Sequence, residues 1–147
     1  MYLVQDFMTR KVLSLEEHDD LTLAQNLMAF GRFRHLPVTR SGALIGLVSQ
    51  RDLARAQAQR DDLLSLRTLD VMIREVQTVS PQTRLRDALE LMLRHKYGCV
   101  PVVDGDGVLV GILTEEDGVR FALRMAKDLD EVGEVIEFAT EAALHPS

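Results

Sequence analysis

Two short segments pair a hydroxyl side chain with a carboxylate three residues later, at Ser49 to Asp52 and at Thr114 to Asp117. Each follows an apolar run, and we expect the hydroxyl residue to begin a helix. An Asp on that first turn can accept both hydroxyls of a diol such as ribose, while the Ser or Thr and the free backbone amides face a phosphate. Alternatively, the hydroxyls only cap the helices and the acids only balance the helix dipole.

The two segments end the same larger pattern, which indicates a tandem duplication. Each copy has two apolar runs joined by a turn, and Asp-Gly between β-forming residues predicts a hairpin. Many identical residues recur 64 positions apart, as Met8 and Met72 do, and after the longer second turn the offset is 65, as for Gly46 and Gly111. The hydroxyl–carboxylate pair recurs in both copies together with the preceding strand and glycine, and this recurrence favours ligand binding over simple capping.

The periodicity predicts a β-α-β-β-α order in each copy, and therefore an α/β (α+β) fold. The expected elements of the first copy are a short entry helix 3–8, strand 11–15, helix 21–31, strands 36–39 and 43–48, and helix 50–59. Those of the second are an entry segment 63–72, strand 75–79, helix 84–95, strands 99–103 and 108–113, and helix 115–123. Each three-stranded sheet leaves one apolar face uncovered, so we expect the copies to pack sheet to sheet, with pseudo-twofold symmetry and two equivalent clefts.

A polar break at Arg60-Asp61-Asp62 divides the chain into units 1–60 and 61–124, followed by an acidic tail, 125–147. Within this tail, residues 126–143 have apolar side chains along one helical stripe and glutamates on the other side. We expect a separate amphipathic helix whose apolar face packs on the body or on a second chain.

Composition excludes several classes of protein. The net charge of −6 comes from six acids after Lys127, and no basic face typical of a nucleic-acid binder is evident. No apolar run is long enough for a membrane span and no signal peptide is evident, so we expect a cytoplasmic protein. Catalytic motifs for hydrolases, zinc proteases and phosphate-loop enzymes are absent, and the histidines lack metal-ligand spacing, so we expect neither an enzyme nor a metal site.

The duplicated order, the hydrophobic-Pro-Val entry to each hairpin and the Gly-x-x-Ser/Thr-x-x-Asp exit resemble a CBS domain pair, or Bateman module. The resemblance covers about residues 3–124 and is closest to the stand-alone members. It implies a regulatory, non-catalytic fold that binds adenosine-containing ligands such as AMP, ADP, ATP, S-adenosylmethionine or a dinucleotide, and that forms homodimers. No catalytic cofactor is implied.

The resemblance also implies the ligand-binding residues. The first strand of each copy and the turn after it would read the adenine edge, although each could equally be an ordinary sheet edge. The candidate residues of the first copy are Val12, Ser14, Arg34, His35, Pro37, Ser49, Arg51 and Asp52, and those of the second are Val76, Thr78, Ser80, Pro81, Cys99, Pro101, Thr114 and Asp117.

The two expected clefts differ in charge. Arg34, His35 and Arg51 favour phosphate in the first, whereas Glu115 and Glu116 oppose it in the second. The arginine and histidine could equally be solvated side chains at a strand end. An alternative function is a ligand-free scaffold for dimerisation or for an unidentified protein target, acting through the tail helix.

Overall fold

The computed structural model describes residues 1–31, 33–59 and 62–144. Arg60 and Asp61 of the expected break and the last three residues of the tail lie outside the described residues, whereas Asp62 accepts a hydrogen bond from the Leu64 amide. The first half contains α1 (Val4–Phe7), β1 (Leu15–Glu16), α2 (Leu21–Gly31), β2 (His35–Arg40), β3 (Ala43–Ser49) and α3 (Gln50–Gln59). The second contains a 3-10 turn (Leu63–Ser65), α4 (Thr68–Val71), α5 (Leu85–His95), β4 (Cys99–Val103), β5 (Leu109–Thr114) and α6 (Glu115–Leu144).

The two predicted hairpins are confirmed. Strand β2 is antiparallel to β3, and β4 is antiparallel to β5. The first turn uses Ser41 and Gly42 at positive φ, and in the second the Asp104 carboxylate accepts hydrogen bonds from the amides of Asp106 and Val108. Each hairpin leads directly into a helix, which brings Ser49 and Thr114 to strand-to-helix junctions.

The first strand of each copy is shorter than predicted. In the first copy only Leu15–Glu16 pairs, parallel to β2, and in the second a single bridge joins Val79 to Val102. Immediately before the two expected strands, Thr9 and Ile73 exchange backbone hydrogen bonds with Ile112 and Leu47 of the opposite copy, and the chain joins its own sheet only at Leu15 and Val79. The first sheet therefore has three strands and the second has two.

The entry helices are exchanged between the copies. Helix α1 precedes the first copy in sequence, but Val4 and Met8 belong to the hydrophobic cluster of the second. Met72, which follows α4, belongs in turn to the cluster of the first copy. Thr9 pairs with Ile112 in the same way as Ile73 pairs with Leu47. Each copy thus completes the core of the other.

This exchange explains the repeated glycine. A Cβ on Gly46 would lie 2.7 Å from the Met72 sulfur and 2.9 Å from the Ile73 carbonyl oxygen. A Cβ on Gly111 would lie 2.6 Å from the sulfur of Met8 and 3.1 Å from the oxygen of Thr9. The glycines let the exchanged entry segments cross β3 and β5 at short range.

The copies also meet where the hairpins turn. Ala43 bridges Val108, and the Leu44 amide donates to the Gly107 carbonyl at 3.1 Å. The buried apolar side chains form two clusters, one for each copy. The first includes Leu15, Leu21, Leu36, Val38 and Val48, and the second Val4, Leu85, Val100, Val102 and Leu113.

The two helices predicted after β5 are one continuous helix, α6. The sequence around the expected junction, Arg124-Met125-Ala126-Lys127, consists of good helix formers and contains no breaker. Phe121 anchors the first part by edge-to-face contacts with Tyr2 and Phe7. Despite its length, α6 does not have the apolar character of a membrane span, and neither does any other helix among the described residues.

Candidate functional site

A cavity of about 1230 Å³ lies between the two copies. Ser49 and Asp52 line it from one side, and Thr114 and Asp117 from the other. The two equivalent clefts that the sequence predicts are parts of this one continuous space, with one carboxylate on each side. The copies approach closely at two of its lining residues, because a Cβ on Gly98 would lie 2.6 Å from His35 Cε1.

Asp52 lies on the first turn of α3 and is partly exposed. Its Oδ2 accepts hydrogen bonds from the backbone amide and the hydroxyl of Ser49, both at 2.8 Å, and its own amide donates to Ser49 Oγ at 3.0 Å. Within the described residues, Oδ1 accepts no hydrogen bond from a side chain or amide. One oxygen of this carboxylate therefore remains able to accept a ligand hydroxyl.

Asp117, unlike the partly exposed Asp52, is buried and only 6% exposed. Its Oδ2 accepts from the amide and the hydroxyl of Thr114, both at 2.9 Å. The Thr9 hydroxyl adds contacts of 3.1 and 3.2 Å to Oδ1 and Oδ2. The exchanged entry segment, which carries Thr9, covers most of this carboxylate.

The helix-cap interpretation is therefore correct as local geometry. In both copies the hydroxyl accepts from the Asp amide, while the Asp accepts from the amide of the hydroxyl residue, as in a capping box. These bonds fix the carboxylates at the cavity wall. Capping and ligand binding are compatible for Asp52, whose second oxygen is available.

Most of the predicted site residues line the cavity. They are Val12, Arg34, His35, Pro37, Ser49, Arg51, Asp52, Val76, Cys99, Thr114 and Asp117. The remaining five, Ser14, Thr78, Ser80, Pro81 and Pro101, are not among its lining residues. The side chain and amide of Ser80 contact the Thr83 hydroxyl, and the Pro81 carbonyl accepts from Gln5, so this turn holds the entry segment instead. Pro101 is buried in β4.

Sequence reasoning missed several lining residues, among them Thr9, Arg55, Lys96, Tyr97 and Arg120. Arg55 and Arg120 are identical between the copies, and that identity was an available signal. Thr9 has no such signal, because the equivalent residue is Ile73.

The charges in the cavity are asymmetric. Arg34 and Arg51 lie on the first-copy side, and Glu115 and Glu116 occupy the second-copy side. Arg55 and Arg120, which occupy equivalent positions in the two copies, also differ. Arg120 forms an ion pair with Glu116 at 2.9 Å, whereas Arg55 forms no ion pair with any other described residue. An anionic group therefore has its most favourable environment on the first-copy side.

Burial shifts the pKa of two side chains that line the cavity, His35 and Cys99. Burial lowers the pKa of His35, with Arg34 acting in the same direction and Glu115 and Asp52 opposing it. Burial and the nearby Glu115 raise the pKa of Cys99 to about 12, so its thiol is protonated at neutral pH. No group of three or more metal-ligating side chains occurs in the part of the chain that the structure describes.

Comparison with known proteins identifies the fold. The CBS domain family matches residues 4–59 and 69–124, which together cover both copies of the repeat. The chain belongs to the CBS domain family. It carries a CBS pair, as the motifs predicted.

Several solved CBS pairs are similar over almost their whole length. The AcuB protein of Vibrio cholerae is 37% identical with a TM-score of 0.82, and the match covers 89% of this chain and 97% of that chain. CBSX2, solved in complex with AMP, is 33% identical with a TM-score of 0.77, over 86% of this chain and 99% of that one. The CBS pair of MJ0100, solved with 5′-methylthioadenosine and S-adenosylmethionine, is 27% identical with a TM-score of 0.72, over 82% and 98%.

Curated relatives include enzymes in which the matched region is a minor part. Homoserine O-acetyltransferase of Methanococcoides burtonii is 34% identical over 78% of this chain, and inosine-5′-monophosphate dehydrogenase of Korarchaeum cryptofilum is 31% identical over 77%. The matched region covers 23% of the length of each enzyme. The similarity therefore concerns the CBS pair within those enzymes.

Proposed function

We propose that this CBS pair is a regulatory module that binds adenosine-containing ligands in the cavity between its two copies. The observation that carries the proposal is the partly exposed Asp52 carboxylate, held by Ser49 with one oxygen available at the cavity wall. The AMP complex of CBSX2 and the S-adenosylmethionine complex of MJ0100 support this ligand class.

In this proposal Asp52 accepts the ribose hydroxyls, and Arg34, His35 and Arg51 favour the phosphate side of the ligand. The apolar side chains of Val12 and Val76, which also line the cavity, offer contacts for the base. The cavity is large enough for a nucleotide, since drug-sized ligands occupy pockets of about 300–1,000 Å³.

The test is calorimetric titration of the purified chain with AMP, ATP, S-adenosylmethionine and adenosine, with GMP as the matched control for the base. We expect at least one adenosine compound to bind, GMP to bind more weakly, and Asp52→Asn to weaken binding. A ligand at 100 times its dissociation constant should stabilise the fold by about 2.7 kcal/mol. No binding by any adenosine compound, or equal binding of AMP and GMP, would overturn the proposal.

We also propose that the module is a homodimer that passes ligand occupancy to its dimer interface or to a protein target. A second candidate function, a ligand-free scaffold acting through α6, is favoured by the exposed apolar side chains of Leu129, Val132 and Ile136. The titration separates the two functions, since a scaffold would retain self-association without binding nucleotide.

A further inference from the structure

His35 begins β2 and lies between the two copies, where it lines the cavity. Its imidazole ring occupies space that only a glycine leaves open, because a Cβ on Gly98 would lie 2.6 Å from Cε1, 3.4 Å from Nε2 and 3.5 Å from Nδ1. Gly98 is the second-copy equivalent of Arg34, and the carbonyl of each accepts from the first amide of the following helix. The edge of the ring that carries both nitrogens therefore faces the other copy.

The two ring nitrogens of His35 are available to a ligand. Neither has a hydrogen-bond partner among the described residues, and no polar side-chain atom of those residues is both fully buried and without a partner. The nitrogens of this half-buried ring therefore retain access to the cavity. The equivalent residue of the second copy is Cys99, whose thiol is protonated at neutral pH. Within this equivalent pair, only His35 can change its charge near neutral pH.

Charged groups approach the ring from three parts of the chain. Arg34 precedes it, Asp52 lies on the first turn of α3, and Glu115 begins α6. The two carboxylates favour the protonated ring, whereas burial, which has the largest effect on the pKa, and Arg34 favour the neutral ring. The other charged residues of these elements that line the cavity are Arg51 and Arg55 on α3, Glu116, Asp117 and Arg120 on α6, and Lys96 beside Gly98. The lowered pKa keeps the ring mostly neutral at pH 7.5 when no anion is bound.

We propose that His35 takes up a proton from solvent when a phosphorylated nucleotide enters the cavity, so that nucleotide binding is coupled to pH. A phosphate dianion beside the ring supplies a negative charge, and an opposite charge within about 4–6 Å favours the charged form of a titratable group. The imidazolium then donates a hydrogen bond to a phosphate oxygen, and its charge strengthens that bond. The inference rests on the proposed function, with the phosphate on the first-copy side of the cavity.

The coupling makes the affinity for nucleotide depend on pH. A ligand that raises the proton affinity of His35 must itself bind more tightly when protons are more abundant. As the pH falls from 8 to 7, the phosphate of AMP remains largely a dianion, because its second pKa is about 6. The affinity for AMP should therefore rise by about threefold over this range, whereas the affinity for adenosine should not change.

The first test counts protons by calorimetric titration of the full chain at pH 7.5, in HEPES and in Tris, which differ in ionisation enthalpy. We expect uptake of at least about 0.3 proton for each AMP bound, and none with adenosine. His35→Asn should abolish the uptake, whereas the matched control Arg34→Gln should weaken AMP binding and retain it. AMP binding without proton uptake, or uptake that persists in His35→Asn, would overturn the inference and leave the proposed function standing. No binding by any adenosine compound would overturn both.

The second test measures the protonation of His35 directly, by proton NMR of the imidazole Cε1 hydrogens as the pH is varied. The chain has four histidines, and His35→Asn identifies the signal of His35 by its loss. We expect AMP to raise the midpoint of this signal by at least about one pH unit and adenosine to leave it unchanged. A midpoint that AMP does not move, in a sample that binds AMP, would overturn the inference.

Discussion

The hydroxyl of Thr9 donates to both carboxylate oxygens of Asp117, at 3.1 and 3.2 Å, across a separation of 108 residues. In the other copy the position equivalent to Thr9 is Ile73, which has no donor on its side chain. Asp52 and Asp117 therefore have the same local sequence pattern and different environments. The difference arises because the two exchanged entry segments carry different residues at this position, Thr9 in one and Ile73 in the other.

Asp117→Ala should lower the free energy of unfolding more than Asp52→Ala. The buried Asp117 accepts from Thr9 and Thr114, so its loss leaves more donors without a partner, at a cost of about 1–3 kcal/mol. Loss of the partly exposed Asp52 should cost about 0.3–1 kcal/mol. Urea unfolding measures both, and Thr9→Val should reproduce part of the larger loss. Equal losses in the two alanine variants would contradict this prediction.

Gly46→Ala and Gly111→Ala should each destabilise the fold by about 1–3 kcal/mol through overpacking. The added methyl group would meet the backbone of the exchanged entry segment at 2.9 Å for Gly46 and 3.1 Å for Gly111. Gly133→Ala is the matched control, because its Cβ would meet nothing within 4 Å. Thermal unfolding of the three variants checks the prediction, which fails if Gly46→Ala and Gly133→Ala behave alike.

Asp52→Asn should weaken AMP binding by one to two decades, which corresponds to about 1.5–3 kcal/mol for charge-assisted hydrogen bonds. Asp117→Asn should weaken it less, because Glu115 and Glu116 oppose phosphate on that side of the cavity. Adenosine, which has no phosphate, should not show this preference. Calorimetric titration of both variants with both ligands is the measurement. A larger loss for AMP in Asp117→Asn would refute the charge argument but not adenosine binding.

Stability should decrease as the pH falls below about 6.5, the ordinary pKa of histidine. The pKa of His35 is lower in the folded state, so protons bind preferentially to the unfolded chain from 6.5 down to that lowered value. The hydrogen bond to Arg40 lowers the pKa of Glu17 from 4.5, so the contribution of Glu17 to stability is lost only below about pH 4.5. Urea unfolding at pH 7.5 and 5.5 tests this, and His35→Asn should reduce the difference. If the stability difference between pH 7.5 and 5.5 is the same in His35→Asn as in the wild type, groups other than His35 cause it.

The sequence predicted both hairpins and the strand-to-helix junctions because these depend on local patterns, and it predicted the duplication from identities 64 and 65 positions apart. Turn residues, alternating apolar runs and the Ser/Thr-to-Asp spacing act within a few residues of each other. The start of α6 at Glu115 and the span of α3 from Gln50 to Gln59 followed from the same signals.

The exchange of entry helices could not be predicted in this way. Because the copies share Met8 and Met72, and Gly46 and Gly111, either entry segment fits either core by local pattern. The burial of Asp117 by Thr9 follows from that exchange, so it was missed as well. The continuity of α6 was predictable, since no glycine or proline separates Leu123 from Ala126.

Helix α6 begins at the cavity wall with Glu115, Glu116 and Asp117 and continues for 30 residues to Leu144. At 1.5 Å per residue it is about 45 Å long, and its anchor at Phe121 lies near one end. It therefore has the proportions of a lever with a short arm in the cavity and a long arm outside the body. A tilt of about 5° about the anchor displaces the far end by roughly 3 Å, enough to move a helix out of its packing grooves.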